Sequence, residues 1–284
     1  MPSLTGVTVV DFTRQLPGPF ASRELLRLGA RVVKIEPPEG DPTPERWYDA
    51  LNDGKEIVLW DARSEPSPPV AAEADVVLEG FRPGVFERLG VQLADNAIVC
   101  SITGFGTDGP KAGDAGHDLN YLGYAGVLAD TAPAVPPVQV ADLAGGAQAA
   151  VIEILAGLLE RARTGEGRRI VVSMTANAHR LVAHRVAGDP VPRLLTGGVA
   201  CYRIYETADG RHLTVAALEP RFWHNLCALL DRPDLADSAY EPELPELAAL
   251  FRSRTLQAWR ELLEGKDTCV GPVLTLDEAA AELT

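Results

Sequence analysis

Residues 7–12 read VTVVDF, and residues 30–37 read ARVVKIEP. Each is a short run rich in β-branched residues, too continuous for a half-exposed strand and too short for a core helix. Both therefore predict strands buried on two faces. Between them, Pro19 to Leu28 carries helical spacing, and Gly29 stops it. A strand, a helix and a strand in quick succession make a βαβ unit, whose crossover leaves the two strands parallel.

The same pattern continues outward. ADVVLEGF (74–81) predicts a third strand, VFERLG (85–90) a short helix and AIVCSITGF (97–105) a fourth strand. From Ala144 to Arg163 the spacing is helical, with Ala147, Val151, Ile154, Leu155 and Leu158 on one face. TGEG (164–167) ends that helix, and RRIVVSM (168–174) returns as a strand. The expected fold class is α/β, with a Rossmann-like large domain built on an open parallel sheet. No GxGxxG follows the first strand, so the dinucleotide-binding reading fails at its first requirement.

Proline-rich SEPSPP (64–69) and APAVPP (132–137) read as surface loops, whereas VAGDPVPRLLTGG (186–198) is the best domain boundary. The expected division is a large domain over 1–190 and a small one over 191–284. In the latter, CYRIYE and HLTVAAL flank ADGR, a hairpin with Asp-Gly at its tip. Helical runs at Phe222–Leu230 and Thr255–Glu264, then CVGPVL and a last short helix, complete a smaller α+β unit.

Composition excludes several partners. With 26 basic and 40 acidic residues the chain carries −14, which disfavours nucleic acid and anionic membranes. No apolar run reads as a membrane span and no signal peptide is visible, so the expected compartment is the cytoplasm. Cys100, Cys201, Cys227 and Cys269 are scattered, which argues against a disulfide framework and against a zinc or other metal site.

GHDLNY (116–121) gathers polar groups just ahead of apolar Val127 and Leu128. Taken alone, His117 reads as a hydrogen-bonded loop histidine and Asp142 as the N-cap of the helix after it. Asp118, Asn120 and Tyr121 read as groups that fix the loop by side-chain to backbone bonds. Glu219, before Pro220, reads equally well as a first-turn acid of the helix through Trp223.

Taken together the motifs say more. LTGVTVVDFTRQLPGPF, LGARVVKIEPPEGDP, LEGFRPGVFERLG, SITGFGTDGP, GHDLNY, ADLAGGA, RTGEGRRIVVSM, YRIYETADGR and ALEPRFW occur in this order. The set resembles the family III CoA-transferase superfamily, and within it most resembles the α-methylacyl-CoA racemase branch. The resemblance implies a Rossmann-like large domain, a small α/β domain and a homodimer of interlocked chains. It implies a coenzyme A thioester as substrate and no prosthetic group. His117 of GHDLNY and Asp142 of ADLAGGA map onto the racemase acid–base pair, and Glu219 of ALEP onto a glutamate that meets the histidine across subunits. Asp142 also maps onto the nucleophile of the transferases.

The chemistry suits those residue types. Inverting a carbon beside a thioester removes a proton from one face and returns one to the other. Histidine, with a reference pKa near neutrality, serves as acid or base, and a desolvated aspartate gains the basicity it needs. Backbone N–H groups near Leu143 are candidate donors to the enolate oxygen. For the cofactor, Arg82 and Lys55 are candidate phosphate contacts, with Lys34 and Arg88 as helpers; Asp118 and Tyr121 are further cofactor-binding candidates. Asp53 and Glu56 flank Lys55, and Pro37 stands where the family often has arginine, so this site is expected to be poor in positive charge.

In the family it resembles the chain returns from the small domain to the large one, and the expectation here is that this return segment is missing. The expected assembly is therefore a homodimer joined by small-domain exchange, with sites completed across subunits. Three activities compete: a racemase of 2-methylacyl thioesters, a CoA-transferase with TGG (196–198) as the nearest lid glycines, and a repurposed acyl-thioester binding protein, the acyl group presented on CoA or on another carrier.

Overall fold

In the computed structural model, which describes residues 2–283, the chain divides into two compact units, Met1–Ala183 and His184–Thr284. The first is built on a six-stranded, all-parallel sheet. Its elements are β1 (Thr8–Asp11), α1 (Pro17–Arg27), β2 (Arg31–Glu36), α2 (Glu45–Asn52), β3 (Glu56–Leu59), β4 (Val76–Glu79), α3 (Val85–Leu89) and β5 (Ile98–Thr103). There follow α4 (Asp118–Tyr124), a π-helical segment Ala141–Gln148 running directly into α5 (Ala149–Thr164), β6 (Arg168–Ser173) and α6 (Met174–Leu181). The strand order is β3-β2-β1-β4-β5-β6, that of a doubly wound sheet.

The sequence of β1 explains its central place. Val9 and Val10 are fully buried on opposite faces: Val9 packs with α1, the π-helical segment and α5, and Val10 with Trp60, Ala71 and Phe86. Only a strand covered on both sides tolerates such a run. Helix α1 starts at Pro17 rather than Pro19, because proline is preformed for the first turn and gives up no bond there. Gly29, at φ 99°, lets Ala30 reach back to the Leu25 carbonyl and turn into β2.

Several elements escape the periodicity reading, among them β3, α2, α4 and α6. Strand β3 lies at the sheet edge, with Ile57 and Leu59 exposed. Helix α4 occupies the polar GHDLNY stretch, and α2 lies ahead of β3. The long helix begins at Ala141, three residues before its expected start. Together the π-helical segment and α5 are long and apolar enough to cross a membrane, yet they pack on α1, β5 and β6 as core elements of this sheet.

The second unit begins a few residues ahead of the expected boundary, within α7 (Ala183–Val186). It carries a three-stranded antiparallel sheet, β7 (Tyr202–Glu206), β8 (His212–Ala216) and β9 (Val270–Pro272), in the order β7-β8-β9. The β7–β8 hairpin turns at Gly210, φ 71°, as ADGR demands. Helices α8 (Pro220–Leu229), α9 (Pro245–Phe251), α10 (Leu256–Leu263) and α11 (Leu276–Leu283) complete the unit. Its core includes Trp223 and Trp259, whose indole N–H groups donate to the Leu235 and Phe251 carbonyls at 2.9 and 2.8 Å.

Candidate active site

From β1 the chain winds toward β3 on one side and toward β6 on the other. At that reversal a crevice opens beyond the strand ends, the usual ligand position in such sheets. A cleft of about 770 Å³ lies there. Its walls come from the loop after β1, the turn Gly80–Pro83 after β4, the end of β5, the segment 112–121 and Met174.

The polar crowding of GHDLNY builds one wall. His117 is exposed to the cleft and takes the N-cap position of α4 in extended conformation, φ −129° and ψ 174°. Asn120 reaches back so that its Oδ1 accepts the His117 N–H at 3.1 Å. The Tyr121 hydroxyl donates to the Gly116 carbonyl at 2.5 Å, with its ring close against Gly104 and Gly116. Burial, then the Asp142 charge, raise the Tyr121 pKa, so the phenol stays a donor. Asp118 accepts the Asp142 N–H at 3.0 Å, which ties the start of α4 to the π-helical segment. Asn120 thus holds the loop as expected, and Asp118 and Tyr121 do so as well; of these two, Tyr121 lines the cleft.

Asp142 is the second residue of that segment, not its cap, since Val140 holds the capping position. The N-cap reading therefore fails. Its carboxyl is half-buried, and its pKa is pushed up to about 6, by burial first and then by the Asp118 charge, against the opposing pull of His117. The Asp142 and Leu143 N–H groups are already engaged, by Asp118 and by the Gln139 carbonyl at 2.8 Å. These two are not free to meet an enolate. Gly145 lets α6 approach: a Cβ there would stand 2.8 Å from the Met174 carbonyl oxygen. Glu219 lies in the second unit, exposed at the N-cap of α8, without a side-chain capping bond.

The cationic candidates separate. Arg82 is exposed on the cleft wall, and its side chain has no ion pair or hydrogen bond among the described residues. Arg88 is exposed on α3 and is not among the cleft residues. Lys34 and Lys55 are buried, with ammonium groups turned inward, so as folded neither reaches a phosphate in the cleft. Lys34 donates to the Thr13 carbonyl at 2.8 Å and lies 3.0 Å from Asp41. Lys55 donates to the Pro19 carbonyl at 2.9 Å and to Asn52 at 2.8 Å, and lies 3.6 Å from Asp11. Burial lowers its pKa to about 8, with Asp11 opposing.

Among the cleft residues that escape sequence reasoning are Arg14, Gln15 and Asp114. Arg14 is exposed with no side-chain partner among the described residues. Gln15 sits at φ 67°, a strained backbone for a non-glycine residue. The available signal was position: TRQLPG follows the central strand where a doubly wound sheet puts its ligand loop.

The fold and cleft define a doubly wound α/β protein with an open cleft at the reversal of strand order. The sequence pattern of CoA-transferase family III matches residues 4–283, and the chain belongs to that family. It is 32% identical to the alpha-methylacyl-CoA racemase of Homo sapiens, over 97% of this chain and 79% of that protein. It is 28% identical to the succinyl-CoA:glutarate CoA-transferase of Homo sapiens, over 98% of this chain and 73% of that one. The solved structure of Rv3272 from Mycobacterium tuberculosis superposes with a TM-score of 0.80 at 28% identity, covering 99% of this chain and 85% of the other.

Proposed function

We propose that the protein is an isomerase that inverts the α-carbon of a 2-methylacyl-CoA thioester, with His117 and Asp142 as the two bases and Glu219 as partner of the histidine. The supporting observation is the Asp142 carboxyl, whose pKa near 6 is set by burial and by the His117 and Asp118 charges. A carboxylate of that basicity abstracts an α-proton better than an ordinary aspartate, and histidine delivers one from the other face. The electron pair left on the carbon moves to the thioester oxygen as an enolate and returns when the carbon is reprotonated. Arg82 and Arg14 supply the positive charge that a CoA phosphate needs in an acidic protein.

Incubating the protein with a 2-methylacyl-CoA in deuterated buffer tests this reading. The α-proton should exchange with no acceptor acid present, and His117→Ala or Asp142→Ala should each slow exchange at least ~100-fold. Absence of exchange by the folded wild type would sink it. A second reading, CoA transfer through an acyl adduct on Asp142, is supported by transferase relatives of similar identity. Hydroxylamine trapping of an adduct on Asp142 would favour transfer.

A further inference from the structure

The segment from Thr13 to Pro19 leaves the central strand, contributes Arg14, Gln15, Pro17 and Gly18 to the cleft and re-enters the fold as α1. Such a loop is expected to be mobile, yet Gln15 holds a positive φ, which persists only where the surroundings over-determine it. The restraint comes from below. At one end, Asp11 accepts the Thr13 N–H at 2.8 Å and also the Thr13 hydroxyl, and Lys34 takes the Thr13 carbonyl. At the other, Lys55 takes the Pro19 carbonyl, and the Ser22 hydroxyl donates to Asp11 at 2.5 Å. Thr13 also folds against Gly18, where no Cβ fits, so the loop closes on itself.

We propose that Lys34 and Lys55 are positioning residues that grip the two ends of this loop from the protein interior, so that the cleft's hold on a CoA thioester depends on two lysines that never touch it. The register explains why lysine stands here. Asp11 and Lys34 are paired across β1 and β2, so their side chains lie together on one face of the sheet. A long chain there carries a charged donor to a backbone carbonyl two residues beyond the strand end. Charge-assisted donors are the stronger ones, and Asp11 and Asp41 balance the buried charge.

The proposal rests on the reading that the cleft binds a CoA thioester, so its test has one arm independent of that reading. Lys34→Met alone strands Asp41, and its fold is at risk. The Asp11→Asn/Lys55→Met double variant removes both charges of one pair and serves as the second probe, with Asp11→Asn in place of wild type as its reference, because Asp11 also holds Thr13 and Ser22. Hydrogen exchange by mass spectrometry should show the amides of residues 13–18 exchanging at least ~10-fold faster in either variant, with β5 and β6 unchanged. Calorimetry with coenzyme A should show roughly tenfold weaker binding with an unchanged salt dependence, and the kinetic loss should fall on KM more than on kcat. Weaker binding with unaltered exchange at 13–18 would overturn the proposal and make the lysines direct phosphate ligands. So would uniformly faster exchange over all strands, which marks lost global stability only. If wild type binds no coenzyme A, the reading of the cleft fails while the exchange arm still judges the grip.

Discussion

At the scale of single residues, Asp142 carries an energetic cost that the chain need not bear for folding. Its pKa is raised from the model-compound value of 3.8 to about 6. The folded state therefore holds this proton more tightly than the unfolded chain. The stabilisation is fully present below pH 3.8 and is lost as pH rises to about 6; above that the ionised carboxyl is a net cost. Asp142→Asn cannot ionise and should escape the loss. Relative to wild type it should gain about 1–3 kcal/mol in urea unfolding between pH 4 and pH 7, the scale of two pKa units discounted for partial exposure. A difference independent of pH would mean that the carboxyl titrates as an ordinary aspartate. A role as proton acceptor, as proposed above, would account for a group kept at the expense of stability.

At the scale of elements, legibility in the sequence followed burial. Strands β1, β2, β4 and β5 are covered on both faces, and each reads as a continuous apolar run. Strand β3 was missed because an edge position leaves Ile57 and Leu59 exposed and ties register to neighbours rather than to pattern. GHDLNY was legible as a cluster of polar groups but not as a helix start. Apolar periodicity carries no sign of a start made by local bonds such as Asn120 to the His117 N–H, and the Asp118 bond to the Asp142 N–H exists only in the folded chain. The same holds for Lys34 and Lys55: a lysine is ordinarily a surface charge, and nothing local announces a buried one. The π-helical segment shows what tight approach requires. Gly145→Ala would push a Cβ to 2.8 Å from the Met174 carbonyl oxygen and 3.2 Å from the Ala178 nitrogen, both main-chain atoms that cannot step aside alone. It should cost about 1–3 kcal/mol and lower turnover, since Asp142 rides on the same turn. Gly123→Ala, in α4 with open space around its Cβ, should be neutral or stabilise by about 0.5–1 kcal/mol. Equal effects of the two substitutions on the thermal midpoint would contradict this account of the helix contact.

At the scale of the whole molecule, the proposed machinery is divided between two units of one chain. His117 and Asp142 belong to the first and Glu219 to the second, with residues 187–201 between α7 and β7 carrying neither helix nor strand. The assembly we propose is a homodimer in which the glutamate of one subunit serves the histidine of the other. The arrangement has a consequence that a self-contained site lacks. His117→Ala and Glu219→Ala proteins should each be impaired alone. Mixed under conditions that allow subunits to exchange, they form hybrid dimers in which one site collects both lesions and the other collects none. With random pairing half the dimers are hybrids, each with one intact site in two, so activity should recover to about a quarter of wild type. If each chain completes its own site, every site in the mixture keeps one lesion and no recovery follows. Light scattering at micromolar concentration supplies the companion measurement, because a monomer there removes the partner on which the recovery depends.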